Sequence, residues 1–298
     1  MRRSDDPQAV VLLNRVDPRT LIAREAMAIV AELAARGDRL AFTTDSFVVD
    51  PLFFPGGDIG KLAVCGTVND LAVGGAVPLY LSCSAIIEEG TSLDLLRRVA
   101  RSMADAARDA GVQIVTGDTK VVNRGACDAL FLTTTGVGVI REGLELSIGA
   151  ARPGDRVLVN GLLGDHGAAI LAARGDLALD APIESDCAAL HGLIAALLAA
   201  APGTRGLRDA TRGGVATVLN EIAEASAVGI EIDDARIPLR REVRGFCEIL
   251  GLDPLYLANE GKLVAVVPAA EAAAALAAMR AHPLGRDAAI IGEVQREE

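Results

Sequence analysis

Strand-like and helix-like apolar patterns alternate along this 298-residue chain, and they do so twice, on either side of a break between Arg141 and Gly154. Such alternation restricts a fold to helices layered on sheets. The first set opens with a helix expected over Pro18 to Ala35, with Asp17 as its cap, Pro18 in the first helical position and Gly37 as its stop. A strand pattern over Arg39 to Val49 ends at Asp50-Pro51, a helix over Ile59 to Val73 is entered through the Gly56-Gly57 turn, and Val77 to Ile87 is rich in β-formers. Thr91 to Ala110 is the clearest helix. Thr91 or Ser92 can cap it, Asp94 sits in its first turn, Leu95, Leu96, Val99, Met103, Ala106 and Ala107 form one apolar stripe, and Gly111 stops it. Val112 to Val115 reads as a short buried strand running into a Gly117-Asp118 loop, and Ala129 to Ile140 as another strand. Past the break, strands are expected at Arg156 to Val159, Gly229 to Ile232, Leu263 to Val267 and Ala288 to Val294. Helices are expected at Ser185 to Ala200, Gly213 to Ala227, Leu239 to Leu250 and Ala269 to Ala281. The expectation is two α/β-type domains, 1–145 and 150–298.

Composition narrows the function classes. Tryptophan is absent and aromatics are 3%, so the core is mostly Ala, Leu, Val and Ile, and stacking of single-stranded nucleic acid on aromatics is disfavoured. A net charge of -11 also argues against binding a phosphate backbone. Cys65, Cys83, Cys127, Cys187 and Cys247 are scattered, without a Cys-x-x-Cys pair, which predicts reduced thiols rather than a disulfide framework or zinc knuckle. His166, His191 and His282 lie far apart, with no metal-ligand spacing. No signal peptide and no membrane span is read, so a soluble cytoplasmic protein is expected.

Three lysines stand beside twenty-six arginines. They are Lys61 in Gly56-Gly57-Asp58-Ile59-Gly60-Lys61, Lys120 in Thr116-Gly117-Asp118-Thr119-Lys120, and Lys262 in Asn259-Glu260-Gly261-Lys262, all read as loops. A lysine kept against such a bias suits a role that needs a compact ammonium able to move a proton, and chance placement is the competing reading. The acids also sit in particular places. Asp45 lies within a strand pattern, Asn69-Asp70 late on a helix, Asp118 after a strand, Asp209 just before a helix in Arg208-Asp209-Ala210-Thr211-Arg212-Gly213-Gly214, and Glu260 just before a strand. Singly, each reads as a cap or turn residue. Together, beside glycines, they suit magnesium bound with substrate phosphates. The helix starts at Gly57–Gly60 and Gly213–Gly214 offer backbone N–H groups to those phosphates. Neither a Walker-type loop nor a Gly-x-Gly-x-x-Gly fingerprint occurs.

Taken in order, Thr43-Thr44-Asp45-Ser46, Asp50-Pro51-Leu52-Phe53-Phe54-Pro55-Gly56-Gly57, Gly60-Lys61, Asn69-Asp70, Thr116-Gly117-Asp118-Thr119-Lys120-Val121-Val122, Gly164-Asp165-His166-Gly167, Arg208 to Gly214 and Ala258-Asn259-Glu260-Gly261-Lys262 resemble the HypE family of hydrogenase maturation factors, from about Arg39 to Glu293. The resemblance implies an aminoimidazole ribonucleotide synthetase-like fold of two α/β (α+β) domains, dimerising through strands of the N-terminal domain. It implies a cysteine-bound carbamoyl group, received from the carbamoyltransferase HypF, dehydrated with ATP to a thiocyanate, and passed as cyanide to a HypC–HypD complex for the iron of nickel–iron hydrogenase. It also implies roles. Asp45, Asp70, Asp118 and Asp209 are metal and nucleotide candidates, Lys61, Asn69, Gly117 and Thr119 further nucleotide contacts, and Lys120 and Glu260 the groups that handle the carbamoyl. Asp165 is a weaker candidate, and His166 reads equally as a hydrogen-bonded residue at a helix start.

Two stretches depart from the family pattern. The chain opens Met1-Arg2-Arg3-Ser4-Asp5-Asp6 where the family carries a glycine-rich His-Gly-Ser-Gly-Gly segment, and it stops at Gln295-Arg296-Glu297-Glu298 where the family continues to Pro-Arg-Ile/Val-Cys. The carrier thiol is therefore expected outside this polypeptide, because Cys247 falls in a helix pattern and reads as a core thiol. Two other readings stay open: a kinase or synthetase of the superfamily acting on a free small molecule, and a non-catalytic maturation scaffold.

Overall fold

A computed structural model of the chain describes residues 28–33, 35, 38–175 and 182–297. Asp17, Pro18 and Gly37, which frame the expected first helix, lie outside the described residues, while residues 28–33 are helical. Contacts divide the chain into two units. One holds the described residues up to Phe53 with Gly57–Leu71 and Ala76–Gly143, and the other holds Phe54–Gly56, Ala72–Gly75 and the residues from Leu144 onward.

The first unit contains a four-stranded sheet in the order β1-β6-β4-β5, built from β1 (Leu40–Phe47), β4 (Ala76–Glu88), β5 (Gln113–Val122) and β6 (Leu130–Ile140). The short strands β2 (Phe53–Phe54) and β3 (Gly57–Asp58) pair with each other and lead into helix α1 (Ile59–Val73). Helix α2 (Leu93–Asp109) carries the chain from β4 to its parallel neighbour β5, the crossover that parallel pairing requires. Of the two expected caps it is Ser92 that accepts the N–H of Asp94, and Val99, Ala100, Met103, Ala104 and Ala107 form the buried stripe.

Helix α1 lies close on one face of this sheet. Thr134 on β6 donates to the carbonyl of Ala63 at 2.9 Å, and a Cβ on Gly136 would stand 2.7 Å from Thr67 Cγ2, so glycine is what permits the approach. The opposite face is open along its apolar end. Leu40, Val139 and Val77 form one row across β1, β6 and β4, and Phe42, Val137 and Tyr80 form the next. Phe42 is 73% exposed.

The second unit has an antiparallel five-stranded sheet in the order β8-β10-β7-β11-β9, from β7 (Arg156–Val159), β8 (Gly206–Asp209), β9 (Val228–Ile232), β10 (Leu263–Val267) and β11 (Ala289–Arg296). Its helices are α3 (Asp165–Ala173), α4 (His191–Ala200), α5 (Gly214–Ser226), α6 (Arg241–Leu250) and α7 (Ala272–Ala281). The central strands are continuous apolar runs because both faces are covered. Leu158, Leu263, Ala265 and Val267 join a core with Leu193 and Leu197 of α4 and Met279 of α7. Val157, Val159, Val264 and Val266 join one with Leu219 and Ile222 of α5. Helices α3 and α6 bury Ala168, Ala169, Phe246 and Cys247 together, so Cys247 is a core thiol.

Three expectations are corrected. The short strand over Val112 to Val115 is instead ten residues long and runs through the Thr-Gly-Asp-Thr-Lys motif, so Asp118 and Lys120 sit on a strand and not in a loop. Lys61 is likewise in the first turn of α1 rather than a loop. The helix expected from Ser185 begins at His191, because peptide and side-chain groups of residues 185–188 are engaged with other segments.

Candidate functional site

In the first unit, β1 alternates, so Thr43 and Asp45 share the face toward α1. Thr43 Oγ1 donates to Asp70 Oδ2 at 3.0 Å. Asp45 Oδ2 lies 4.0 Å from the position a Cβ would take on Gly66, one helical turn before Asp70. The two half-buried carboxylates therefore both lie along the β1–α1 contact, against positions one helical turn apart, and Asn69 next to Asp70 is buried. Asp45 Oδ1 accepts the N–H of Ser46 at 2.8 Å.

The first turn of α1 does not present its amides as expected. Asp58 Oδ1 accepts the N–H groups of Gly60 at 2.8 Å and Lys61 at 3.2 Å, and Asp58 Oδ2 accepts Ser102 Oγ at 2.5 Å. A carboxylate of the chain already occupies this positive helix end.

Register separates the remaining acids of this unit. Asp45, Thr134, Cys83 and Gly117 form one row across the four strands, and Ser46, Thr133, Ser84 and Asp118 form the next. Successive rows point to opposite faces. Asp45 thus faces α1, while Asp118 and, two rows on, Lys120 stand on the open face, both exposed. There they join a band of hydroxyls that sequence reasoning missed. Ser46 Oγ and Thr133 Oγ1 are hydrogen-bonded at 2.9 Å, and Thr135 Oγ1 donates to Thr44 Oγ1 at 3.0 Å. Its signal was the spacing of two between hydroxyl residues on β1, β4 and β6. Gly117 is required beside it, since a Cβ there would fall 2.1 Å from the carbonyl oxygen of Cys83. Thr119 lies on the same exposed edge strand, β5. Among the described residues no group of three or more Asp, Glu, His or Cys side chains converges on a metal position.

In the second unit, Asp209 is the buried last residue of β8, paired in register with Leu263. Next to it, Asn259 is 1% exposed and fully engaged. Its Oδ1 accepts the N–H of Gly164 at 2.8 Å, and its Nδ2 donates to the carbonyls of Ala210 and Leu257, each at 3.0 Å. Glu260, half-buried, follows it. Lys262 Nζ donates to Asp186 Oδ2 at 2.9 Å, so the third lysine is held in an ion pair.

Asp165 and His166 open α3 and are both buried. Arg240 Nε bridges the two carboxylate oxygens of Asp165 at 3.0 and 2.9 Å. Burial nonetheless raises the Asp165 pKa, against the lowering from Arg240, whereas the half-exposed Arg240 is pushed up by its bond to Asp165. His166 Nδ1 is 2.8 Å from Ser185 Oγ, and its ring stands edge-on to Phe54 at 5.5 Å between centroids. Burial lowers its pKa, so the ring is a neutral, hydrogen-bonded residue at a helix start. Asp165, Arg240, Glu184, Asp186, Lys262 and Arg286 line one cavity of about 230 Å³. Glu184, Asp186 and Arg286 were not anticipated.

Comparison with known proteins adds identity to this geometry. Residues 25–140 match the N-terminal domain of AIR synthase related proteins, and residues 152–298 match their C-terminal domain. The chain is 66% identical over 267 residues to a protein of Rhodobacter capsulatus named carbamoyl dehydratase HypE, covering 90% of this chain and 78% of that one. Among solved structures, HypE in a HypE–HypF complex superposes with a TM-score of 0.85 at 49% identity, over 93% of this chain and 94% of the other. A hydrogenase maturation protein HypE in complex with ATP superposes with a TM-score of 0.84 at 53% identity, over 87% and 77%.

Proposed function

This chain belongs to the HypE family of AIR synthase-related proteins, and we propose that it converts a cysteine-bound carbamoyl group to a thiocyanate with ATP, for the cyano ligands of the iron in nickel–iron hydrogenase. ATP-dependent carbamoyl dehydration in hydrogenase maturation is the function of this family. The likeness to carbamoyl dehydratases along nine-tenths of the chain carries the reading.

The chemistry sets what the residues must do. The carbamoyl oxygen leaves poorly until it is phosphorylated. Transfer of the γ-phosphoryl group of ATP to that oxygen releases ADP; the C–O bond then breaks, phosphate leaves with the electron pair, and the nitrogen sheds two protons as the C≡N bond forms. Glu260 and Lys120 are proposed for that proton handling. Asp45, Asp70, Asp118 and Asp209 are proposed for the metal and nucleotide, with Lys61, Asn69, Gly117 and Thr119 as further nucleotide contacts. Asp45 and Asp70 fit a magnesium ion, which needs only one or two carboxylates beside phosphate and water oxygens and, when bound, neutralises phosphate charge. The amides of Gly60 and Lys61 are left out of this reading because Asp58 holds them. Phosphate contact is also proposed for the start of α5, beyond Gly214, whose own N–H donates to the Thr211 carbonyl at 3.1 Å.

The reading includes a homodimer formed on the open sheet face that carries Asp118 and Lys120, a carbamoyl donor of the HypF kind, an acceptor of the HypC–HypD kind, and a cytoplasmic setting. A HypE–HypF complex is known for a relative. No helix among the described residues is long and apolar enough to cross a membrane.

The test supplies the purified chain with magnesium, ATP and a peptide ending in S-carbamoylcysteine. The expected result is a peptide lighter by one water, formed with stoichiometric ADP. An unaltered peptide beside a chain that binds ATP would overturn the dehydratase reading.

A further inference from the structure

The segment before α4 closes on the Asn259-Glu260-Gly261-Lys262 turn through one side chain. Asp186 is 3% exposed at its side chain and accepts three bonds from that turn. Its Oδ1 takes the N–H of Glu260 at 3.0 Å, and its Oδ2 takes the N–H of Gly261 at 3.1 Å and Nζ of Lys262 at 2.9 Å. The backbones meet as well. Ala188 N–H donates to the carbonyl of Glu260 at 3.3 Å, and a Cβ on Gly261 would fall 1.9 Å from the carbonyl oxygen of Asp186. Asn160 fixes the far side, donating to the carbonyl of Gly261 at 3.0 Å and accepting the N–H of Leu263 at 2.8 Å. Both backbone polar groups of Glu260 are thus engaged with residues 186 and 188, and the direction in which its side chain leaves the turn is fixed by them.

We infer that Asp186 is a positioning residue for the dehydration step: its carboxylate clamps the Glu260–Lys262 turn and so sets where the Glu260 carboxylate stands, with Lys262 as the clamp's counter-charge. The inference rests on Glu260 handling the proton of the carbamoyl nitrogen. Charge-assisted bonds from a nearly buried carboxylate to two consecutive amides and an ammonium are the strong kind, and a rigid second layer is what holds a reacting group within tolerance. A misplacement of about 1 Å is enough to cost roughly a hundredfold in rate.

The experiment is a double-mutant cycle on the full chain with magnesium, ATP and the S-carbamoylcysteine peptide, comparing wild type, Asp186→Asn, Glu260→Gln and the double variant. Asp186→Asn is expected to lower kcat by roughly ten- to a hundredfold, with KM for ATP unchanged, and the double variant is expected to be no slower than Glu260→Gln. A merely structural aspartate would instead slow the double variant multiplicatively. Should Asp186→Asn not fold, Lys262→Gln takes its place in the same cycle, with a smaller loss and the same lack of additivity expected. Wild-type kcat in Asp186→Asn beside a slow Glu260→Gln, or multiplicative losses, would overturn the positioning role and leave the reading of Glu260 intact. Wild-type kcat in Glu260→Gln would overturn that reading and the inference together.

Discussion

Asp70 accepts a hydroxyl from Thr43, which lets charge be tested apart from shape. Asparagine at position 70 keeps an oxygen for the Thr43 hydroxyl but loses the negative charge. If Asp45 and Asp70 hold magnesium with the phosphates of ATP, Asp70→Asn weakens magnesium-dependent ATP binding by tenfold or more, about 1.4 kcal/mol, in a calorimetric titration. Asp209→Asn is expected to do the same. Titrations indistinguishable from wild type in both variants would move the nucleotide away from these acids. His166 gives a second test at this scale. Burial lowers its pKa in the folded chain, so the unfolded chain takes up that proton first as pH falls. The stability tied to a neutral His166 is intact above the ordinary histidine value of 6.5 and is lost as pH drops through it toward the lower folded value. His166→Gln keeps a polar partner for Ser185 and removes the titration. Urea midpoints measured between about pH 7.5 and pH 5.5 should fall further for wild type than for the variant. Parallel curves would contradict this, because His191, also lowered by burial, titrates in both proteins and cancels from the difference.

Elements whose buried residues make a long apolar pattern were legible in the chain, and short, polar or exposed edge elements were not. Helix α1 begins and ends where its pattern does, at Ile59 and Val73, and α2 shows its stripe and its cap because one side packs and the other is solvated. The β10 run is buried at every residue from Leu263 to Val267 and stood out as an unbroken apolar stretch. Strand β5 failed the same reading. It is a sheet edge, mostly exposed past Val115, so neither face imposes alternation, and its glycine and acid look like a loop. Strand β8 is only four residues long and includes Arg208 and Asp209, too short and too polar to announce itself. Residues 185–190 misled in the other direction. Cys187, Ala188 and Leu190 read as the start of a helix, but Ser185 N–H donates to Pro55 and Ala188 N–H to Glu260, bonds made with segments far away in sequence. The candidate site divides in the same way. Asp45, Asp70, Asp118, Asp209 and Glu260 could be named from residue type and neighbourhood. Their distribution over sheet faces could not, since it follows from the pairing of β1, β6, β4 and β5.

At the scale of the whole molecule, one sheet face lacks cover from the described residues of its own unit. Leu40, Phe42, Val77 and Ile86 are exposed there at 37%, 73%, 42% and 39%. By register they flank the hydroxyl rows of Thr44-Thr135-Ser82 and Ser46-Thr133-Ser84, so apolar and hydrogen-bonding groups share one surface. Covering these four side chains on each of two copies removes apolar surface from water, which favours association, and the hydroxyls can pair across the interface so that no polar group is stranded. Because the proposed contact is centred on apolar groups, added salt should weaken it little, even though each copy carries a net charge of -11. Light scattering should therefore give about twice 30.7 kDa for wild type. Phe42→Asp combined with Ile86→Asp should give the single mass, because each copy would bring two unpaired carboxylates into the contact. Both positions are solvent-exposed in the single chain, so the variant should still melt as one cooperative unit. A wild-type mass near 30.7 kDa at micromolar concentration would show that this face serves something other than a second copy.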